Sequence, residues 1–82
     1  MLSFEEEVDA LTTAGLLTEK QARAFVYREI EATPRQAAAD EMGITLSTYD
    51  THVENARQNV TAARETVDAV ESIRNQLPDD DP

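Results

Sequence analysis

A long stretch without glycine or proline places the strongest limit on how this chain can fold. Between Gly43 and Pro78 there is no residue that breaks a helix, so one helix can span residues 46–77. At about 1.5 Å per residue, such a helix would be roughly 45 Å long. No segment has the alternating pattern of a β-strand. The sequence therefore predicts an all-α fold dominated by a long C-terminal helix.

Composition limits the chain to one small domain. It has 82 residues and a net charge of −10, which predicts one domain over residues 1–77 and an acidic tail over 78–82. It has no cysteine and only one histidine, His52, so we expect no disulfide and no metal site. No nucleophile–base pair or phosphate-binding glycine loop can be assembled, so we predict neither enzymatic activity nor a cofactor. Without a long apolar run or a basic leader, we expect a soluble cytoplasmic protein and no membrane partner.

The composition of charged residues is typical of proteins adapted to a very salty cytoplasm. Lys20 is the only lysine, there are six arginines, and 17 residues are acidic. The excess negative charge lies at the two ends, with −4 over residues 1–17 and −5 over 65–82. Residues 18–64 carry only −1, so any contact with nucleic acid is expected there. An ordinary acidic domain is the alternative interpretation of this composition.

Capping sequences predict where the helices begin and end. Three Ser/Thr-x-x-Glu/Gln sequences fit the capping box, which pairs two backbone N–H groups at a helix start. Ser47, with Asp50 three residues later, is expected to cap the long helix. Gly15 and Gly43 are expected to end the first and third helices, and the second should reach about Ala32. The predicted capping boxes are Ser3 with Glu6, Thr18 with Gln21, and Thr33 (before Pro34) with Gln36.

Residues 34–60, PRQAAADEMGITLSTYDTHVENARQNV, have the spacing of a helix-turn-helix. This motif needs a small residue where two helices cross, here Ala39, and a residue that can turn, here Gly43 four positions later. A plain helical hairpin is the structural alternative to a DNA-binding motif. Apolar residues in the turn and on the inner face of the second helix complete the pattern: Ile44, Tyr49 and Val53.

The sequence around this motif resembles known families of transcription regulators. LTEKQARAF followed by PRQAAADEMGITLSTYDTHVENAR is similar to the wingless helix-turn-helix of LuxR-type regulators and to the fourth region of bacterial sigma factors. Residues 48–53, TYDTHV, resemble the T-V-x-T-H-V of those families, and NARQNVTAARETVDAV is similar to archaeal Tfx-type regulators. The resemblance covers roughly residues 17–70. It implies a DNA-binding domain whose helix after the turn enters the major groove.

The resemblance also implies which residues meet double-stranded DNA. The recognition helix is expected at about residues 47–58. This chain has Asp50 and Glu54 where the families commonly have lysine; a carboxylate repels phosphate but can accept a hydrogen bond from cytosine N4. Arg57 and Arg64 have the alternative of pairing with nearby acids. The predicted DNA-binding residues are Arg35, Gln36, Ser47, Thr48, Thr51, Asn55 and Arg57.

Beyond Val53 the apolar residues of the long helix recur at spacings of three and four, as in a coiled coil. The first half of this seam is expected to pack on the chain's own helices and the second half on a second copy, unless the N-terminal helix covers it. The sequence thus predicts a sequence-specific transcription regulator acting as a homodimer. The alternative is an acidic adaptor or DNA mimic, and a second regulatory protein is a further candidate partner. The predicted dimerisation residues are Val60, Ala63, Val67, Val70 and Ile73.

Overall fold

The computed structural model describes residues 1–76, which form helices and no strand. The predicted all-α fold with a long C-terminal helix is confirmed. Within these residues no helix is both long enough and apolar enough to cross a membrane. Leu77 and the predicted acidic tail lie outside the described residues. The helices are α1 (Phe4–Thr13), α2 (Glu19–Phe25, continued by a π-helical turn, Val26–Ile30), α3 (Arg35–Met42) and α4 (Leu46–Gln76).

The first two predicted capping boxes are confirmed. The Ser3 hydroxyl accepts from the Glu6 amide at 3.2 Å, and the Glu6 carboxylate accepts from the Ser3 amide at 2.9 Å. Thr18 and Gln21 make the same reciprocal pair, with both bonds at 3.2 Å. Each pair satisfies backbone N–H groups that have no partner within the helix. These two caps fix where α1 and α2 begin.

The other two predicted caps are wrong. Pro34, not Thr33, is the N-cap of α3, and it makes no side-chain capping bond. The Gln36 side chain instead donates to the Asp40 carboxylate at 2.9 Å. The long helix begins one residue before Ser47, because the Thr45 hydroxyl accepts from the Thr48 amide at 3.1 Å.

The end of α2 uses the backbone N–H that a Thr33–Gln36 capping box would need. The backbone N–H of Thr33 donates to the Tyr27 carbonyl at 2.8 Å, which closes the π-helical turn. Ala32 lies between them in the left-handed region, with φ 53°. This closure resembles the common left-handed helix ending, widened because the turn is π-helical. It ends the helix at Ile30, two residues before the predicted end.

We predict that Ala32→Gly stabilises the protein by about 0.5–1 kcal/mol. A left-handed residue with a Cβ costs roughly 1–2 kcal/mol, and the greater freedom of glycine in the unfolded chain offsets part of that gain. Thermal unfolding followed by circular dichroism should show Tm rising by several degrees. The control is Ala37→Gly at an exposed position of α3, which should destabilise by about 1 kcal/mol. A loss of stability in both variants would contradict the argument.

Two small hydrophobic clusters hold the helices together. The first joins α1, α2 and α4 through Val8, Ala22, Val26 and Ala56, with Val60 packed at its edge. The second joins α2, α3 and α4 and surrounds the helix-turn-helix. The first half of the α4 seam therefore packs on the chain's own helices, as predicted. Burying that half fixes the angle at which α4 leaves the domain.

Candidate nucleic-acid interface

The turn between α3 and α4 has the predicted geometry. Gly43 is left-handed, with φ 69° and ψ 34°, and its N–H donates to the carbonyls of Ala39 and Asp40. The amide of Ile44 donates to the Ala39 carbonyl at 3.0 Å. Glycine adopts this conformation without steric cost, so α3 can stop and the chain can reverse within a few residues.

Close packing behind the turn fixes α4 against α3. Ala39 and Tyr49 have no exposed surface and Val53 is 7% exposed. All three belong to the cluster that joins α2, α3 and α4. A larger residue at Ala39 would push the two helices apart. The inner face of α4 is therefore occupied, and its opposite face is the one left for a ligand.

The opposite face of α4 forms a shallow open groove. Ser47, Thr51 and Asn55 line it, and all three are exposed. Their hydroxyl and amide groups are the kinds of donor and acceptor that meet base edges in the major groove. The structure thus brings three of the predicted recognition residues together. The other residues along this groove are Leu46, Asp50 and Glu54.

Two of the predicted recognition residues also make bonds within the helix. The Thr48 hydroxyl accepts from the Thr45 hydroxyl at 2.9 Å as part of the helix cap. The Thr51 hydroxyl donates to the Ser47 carbonyl at 3.1 Å, one turn back. Both oxygens retain acceptor capacity for a further bond. These bonds restrict the two side chains before any ligand arrives.

Arg35, which was predicted to contact DNA, is joined to Asp50 across the motif. Its Nε donates to Asp50 Oδ1 at 3.1 Å and its Nη2 donates to Oδ2, a bidentate pair between α3 and α4. The hydrogen bond from the guanidinium holds the pKa of Asp50 below its ordinary value, and the same bond raises the pKa of Arg35. Each charge partly neutralises the other, which weakens both the repulsion between the carboxylate and phosphate and the attraction between the arginine and phosphate.

This pair predicts how Asp50 titrates. Because its folded pKa lies below the unfolded value, its contribution to stability is complete above the unfolded pKa of about 4 and is lost as pH falls through the folded pKa. In Arg35→Gln, the pKa of Asp50 should rise toward the ordinary value. Carbon-detected NMR titration of the side-chain carboxyl measures this directly. Arg57→Gln is the control, and if it moved the Asp50 pKa equally, the pair would not be the cause.

Two further charged residues near the groove, Arg57 and Glu54, also have partners in the same chain. Arg57, another predicted DNA contact, lies 3.2 Å from the Glu29 carboxylate at the end of α2. The Gln58 amide donates to the Glu54 carboxylate at 3.1 Å. Neither partner was foreseen, although the alternative of an acidic partner for Arg57 had been left open. The motif therefore presents polar hydrogen-bonding groups more than free positive charge.

Comparison with known families agrees with this geometry. The family model for sigma-70, region 4 matches residues 9–60, from α1 through the core-packed half of α4. The chain belongs to the sigma-70 region 4 family. This assignment confirms the predicted resemblance to the fourth region of sigma factors. No curated protein and no solved structure matches the chain.

Members of the sigma-70 region 4 family are helix-turn-helix DNA-binding domains. The chain therefore has the fold of a DNA-binding regulatory domain, and this fold is not typical of enzymes. The family match ends at Val60. The following residues, 61–76, continue α4 beyond the matched region.

Proposed function

We propose that this chain is a sequence-specific transcription regulator of a salty cytoplasm that binds double-stranded DNA as a homodimer. One observation carries the proposal: Ser47, Thr51 and Asn55 share an exposed groove on α4 while the opposite face of the same helix is locked onto α3. This is the arrangement in which a recognition helix reads base edges from the major groove.

Hydrogen bonding, more than charge, would provide the affinity. Arg35 and Arg57 are each paired with a carboxylate of the same chain, so neither charge is free to attract the DNA backbone. In molar salt the screening length is about 3 Å, and attraction between lysine or arginine and phosphate is weak there in any case. A face of hydroxyl and amide groups suits such a medium, because short-range hydrogen bonds are not lost to screening.

A homodimer would be built by the second half of α4. Val67, Val70 and Ile73 are 56%, 43% and 59% exposed, which leaves a row of large apolar side chains in water. Ala63, the predicted dimerisation residue that precedes them on α4, is half-buried. Rows of apolar side chains at coiled-coil spacing are stabilised when a second helix covers them. Two copies joined there would present two recognition helices to one DNA molecule.

The test is selection from a pool of random duplex DNA in about 2–3 M KCl, where screening is strongest, with light scattering in the same buffer. The proposed function predicts a dimer that enriches one sequence made of two related half-sites. A chain that enriches no sequence, in this buffer or in one of low salt, would overturn it.

We predict that binding to the selected site depends only weakly on salt. The slope of log K against log [KCl] is about −0.9 for each phosphate neutralised by the protein. With Arg35 and Arg57 paired internally, we expect a slope between about 0 and −2, where ordinary regulators reach about −6 to −10. Fluorescence anisotropy across a KCl series measures it. A steep slope would mean that the two ion pairs open on binding.

One observation favours a second function, that of an acidic adaptor or DNA mimic that docks on another regulatory protein. Asp50 and Glu54 line the same groove, and the chain carries a net charge of −10. An adaptor would select no DNA and would instead bind a basic partner protein. The DNA selection described above therefore separates the two functions.

A further inference from the structure

The uncovered half of α4 continues the same seam that the core uses. Val53, Ala56 and Val60 pack on the chain's own helices. Ala63, Val67 and Val70 follow them at the same spacings of three and four, so they lie on nearly the same side of the helix. The cluster that joins α1, α2 and α4 reaches Val60, and Val67 and Val70 beyond it are exposed. The chain's own helices thus cover the first half of the seam, and the large apolar side chains of the second half are exposed to solvent.

We propose that this open half pairs antiparallel with residues 61–76 of a second copy, with the two-fold axis near residues 68 and 69. The inference rests on the homodimer proposed above and adds its orientation. In this register Val67 faces the partner's Val70, and Ala63 faces the partner's Arg74. Each copy thus covers the apolar row of the other, and the two overlapping segments end together.

The position of α1 and α2 excludes the parallel arrangement. In a parallel pair the partner's residues 46–60 would lie beside residues 46–60 of the first copy, on the seam side. That space already holds α2, which packs on Ala56 and Val60. In the antiparallel pair the partner's first half lies beyond the end of the described helix. Only the antiparallel arrangement lets both open halves meet while both cores stay intact.

Charge complementarity favours the same register. Arg64 and Glu71 lie beside the seam, seven residues apart, and in the antiparallel pair Arg64 comes next to the partner's Glu71. The two-fold axis makes this contact twice. In a parallel pair Arg64 and the partner's Glu71 would lie about 10 Å apart along the axis, and Arg74 on the seam would face the partner's Arg74. Opposite charges flanking a seam select helix orientation, and like charges facing each other oppose it.

The net charge of the contact region also permits a dimer. Residues 61–76 carry two arginines and three acidic residues, a net charge of −1. Most of the chain's negative charge lies elsewhere, over residues 1–17 and in the last six residues. Two copies can therefore meet along this segment without the repulsion that a net charge of −10 implies for the whole surface.

The orientation has a consequence for DNA. Residue 51 lies 17 to 18 residues from the two-fold axis, or about 26 Å at 1.5 Å per residue. Two recognition helices would therefore be about 52 Å apart along the shared axis, more than the roughly 34 Å of one DNA turn. The selected half-sites should accordingly be separated by more than one turn.

Disulfide trapping tests the orientation, because the natural chain has no cysteine. The double variant Ala63→Cys/Arg74→Cys should form a covalent dimer under mild oxidation. In the antiparallel register, position 63 of each copy lies opposite position 74 of the other copy. The single variants Ala63→Cys and Arg74→Cys are the matched controls. In each, the two cysteines would lie about 16 Å apart along the axis, beyond the 4.4–6.8 Å between Cα atoms that a disulfide allows. Both single variants should stay uncrosslinked.

Three outcomes would overturn the antiparallel pair. A covalent dimer in either single variant would indicate a parallel pair, and no covalent dimer in any variant would indicate that this face meets no second copy. A monomer by light scattering at high concentration would have the same meaning. None of these measurements uses DNA, so a failure to bind DNA would not contradict the antiparallel dimer. Equally, a failure to dimerise would not contradict the role of the groove in recognition.

Discussion

Replacing Tyr49 with alanine is expected to remove a large share of the protein's stability. The ring has no exposed surface and packs among Ala24, Ala38 and Ala39. These side chains are too short to fill the space that the ring would leave. Truncating a buried aromatic residue costs about 3–5 kcal/mol, and a chain of this length has a total stability of roughly 4–12 kcal/mol. Urea unfolding followed by far-UV circular dichroism should show the midpoint fall sharply.

The matched control is Tyr49→Phe, and its expected effect has the opposite sign. The phenolic oxygen is buried and has no hydrogen-bond partner among the described residues. An unpaired buried polar group costs about 1–3 kcal/mol, so removing it should raise stability by up to that amount. A loss of more than about 1 kcal/mol in Tyr49→Phe would show that the hydroxyl is hydrogen-bonded in solution.

Local patterns were enough to predict the helix-turn-helix. The left-handed Gly43 and the buried Ala39 follow from steric requirements that act within a few residues. The inner-face positions of Tyr49 and Val53 follow from helical periodicity alone. Each feature is determined by its neighbours in sequence, so a single sequence carries the information.

Contacts between helices could not be predicted in the same way. Asp50 was expected on the recognition helix, at a position where the families commonly have lysine. The structure pairs it with Arg35, fifteen residues away. Arg57 pairs with Glu29 on a different helix. Such pairs depend on the crossing of whole helices, and many arginine–carboxylate pairs are compatible with one sequence. Neither residue's partner can be identified before the fold is known.

The wrong caps have a local cause of a different kind. Thr33 and Ser47 are both good capping residues in suitable sequence positions. At the first, the π-helical closure of α2 had already used the Thr33 amide. At the second, Thr45 offers the same chemistry two residues earlier. Competing partners for one backbone group shift a helix boundary by a residue or two, which sequence patterns do not resolve.

The double variant Thr51→Ala/Asn55→Ala is expected to lose specific DNA binding while it keeps its fold. An asparagine amide can make two hydrogen bonds to an adenine edge. Each lost base contact of that kind costs about 1–3 kcal/mol, or roughly fivefold to 150-fold in affinity. Both residues are exposed on α4, and alanine is the best helix former, so stability should not fall. Competition anisotropy against the selected site measures the loss.

The matched control is Thr61→Ala/Asn75→Ala, which makes the same chemical changes on the same helix. Both residues are exposed and lie outside the groove and the seam. The control should bind the selected site as tightly as the natural chain. Equal losses in the two double variants would place recognition elsewhere, because the groove would then contribute no more than an arbitrary surface of α4. A loss confined to Thr51 and Asn55, with affinity for unrelated DNA unchanged, would mean that this face reads base edges, since phosphate contacts weaken all sequences alike.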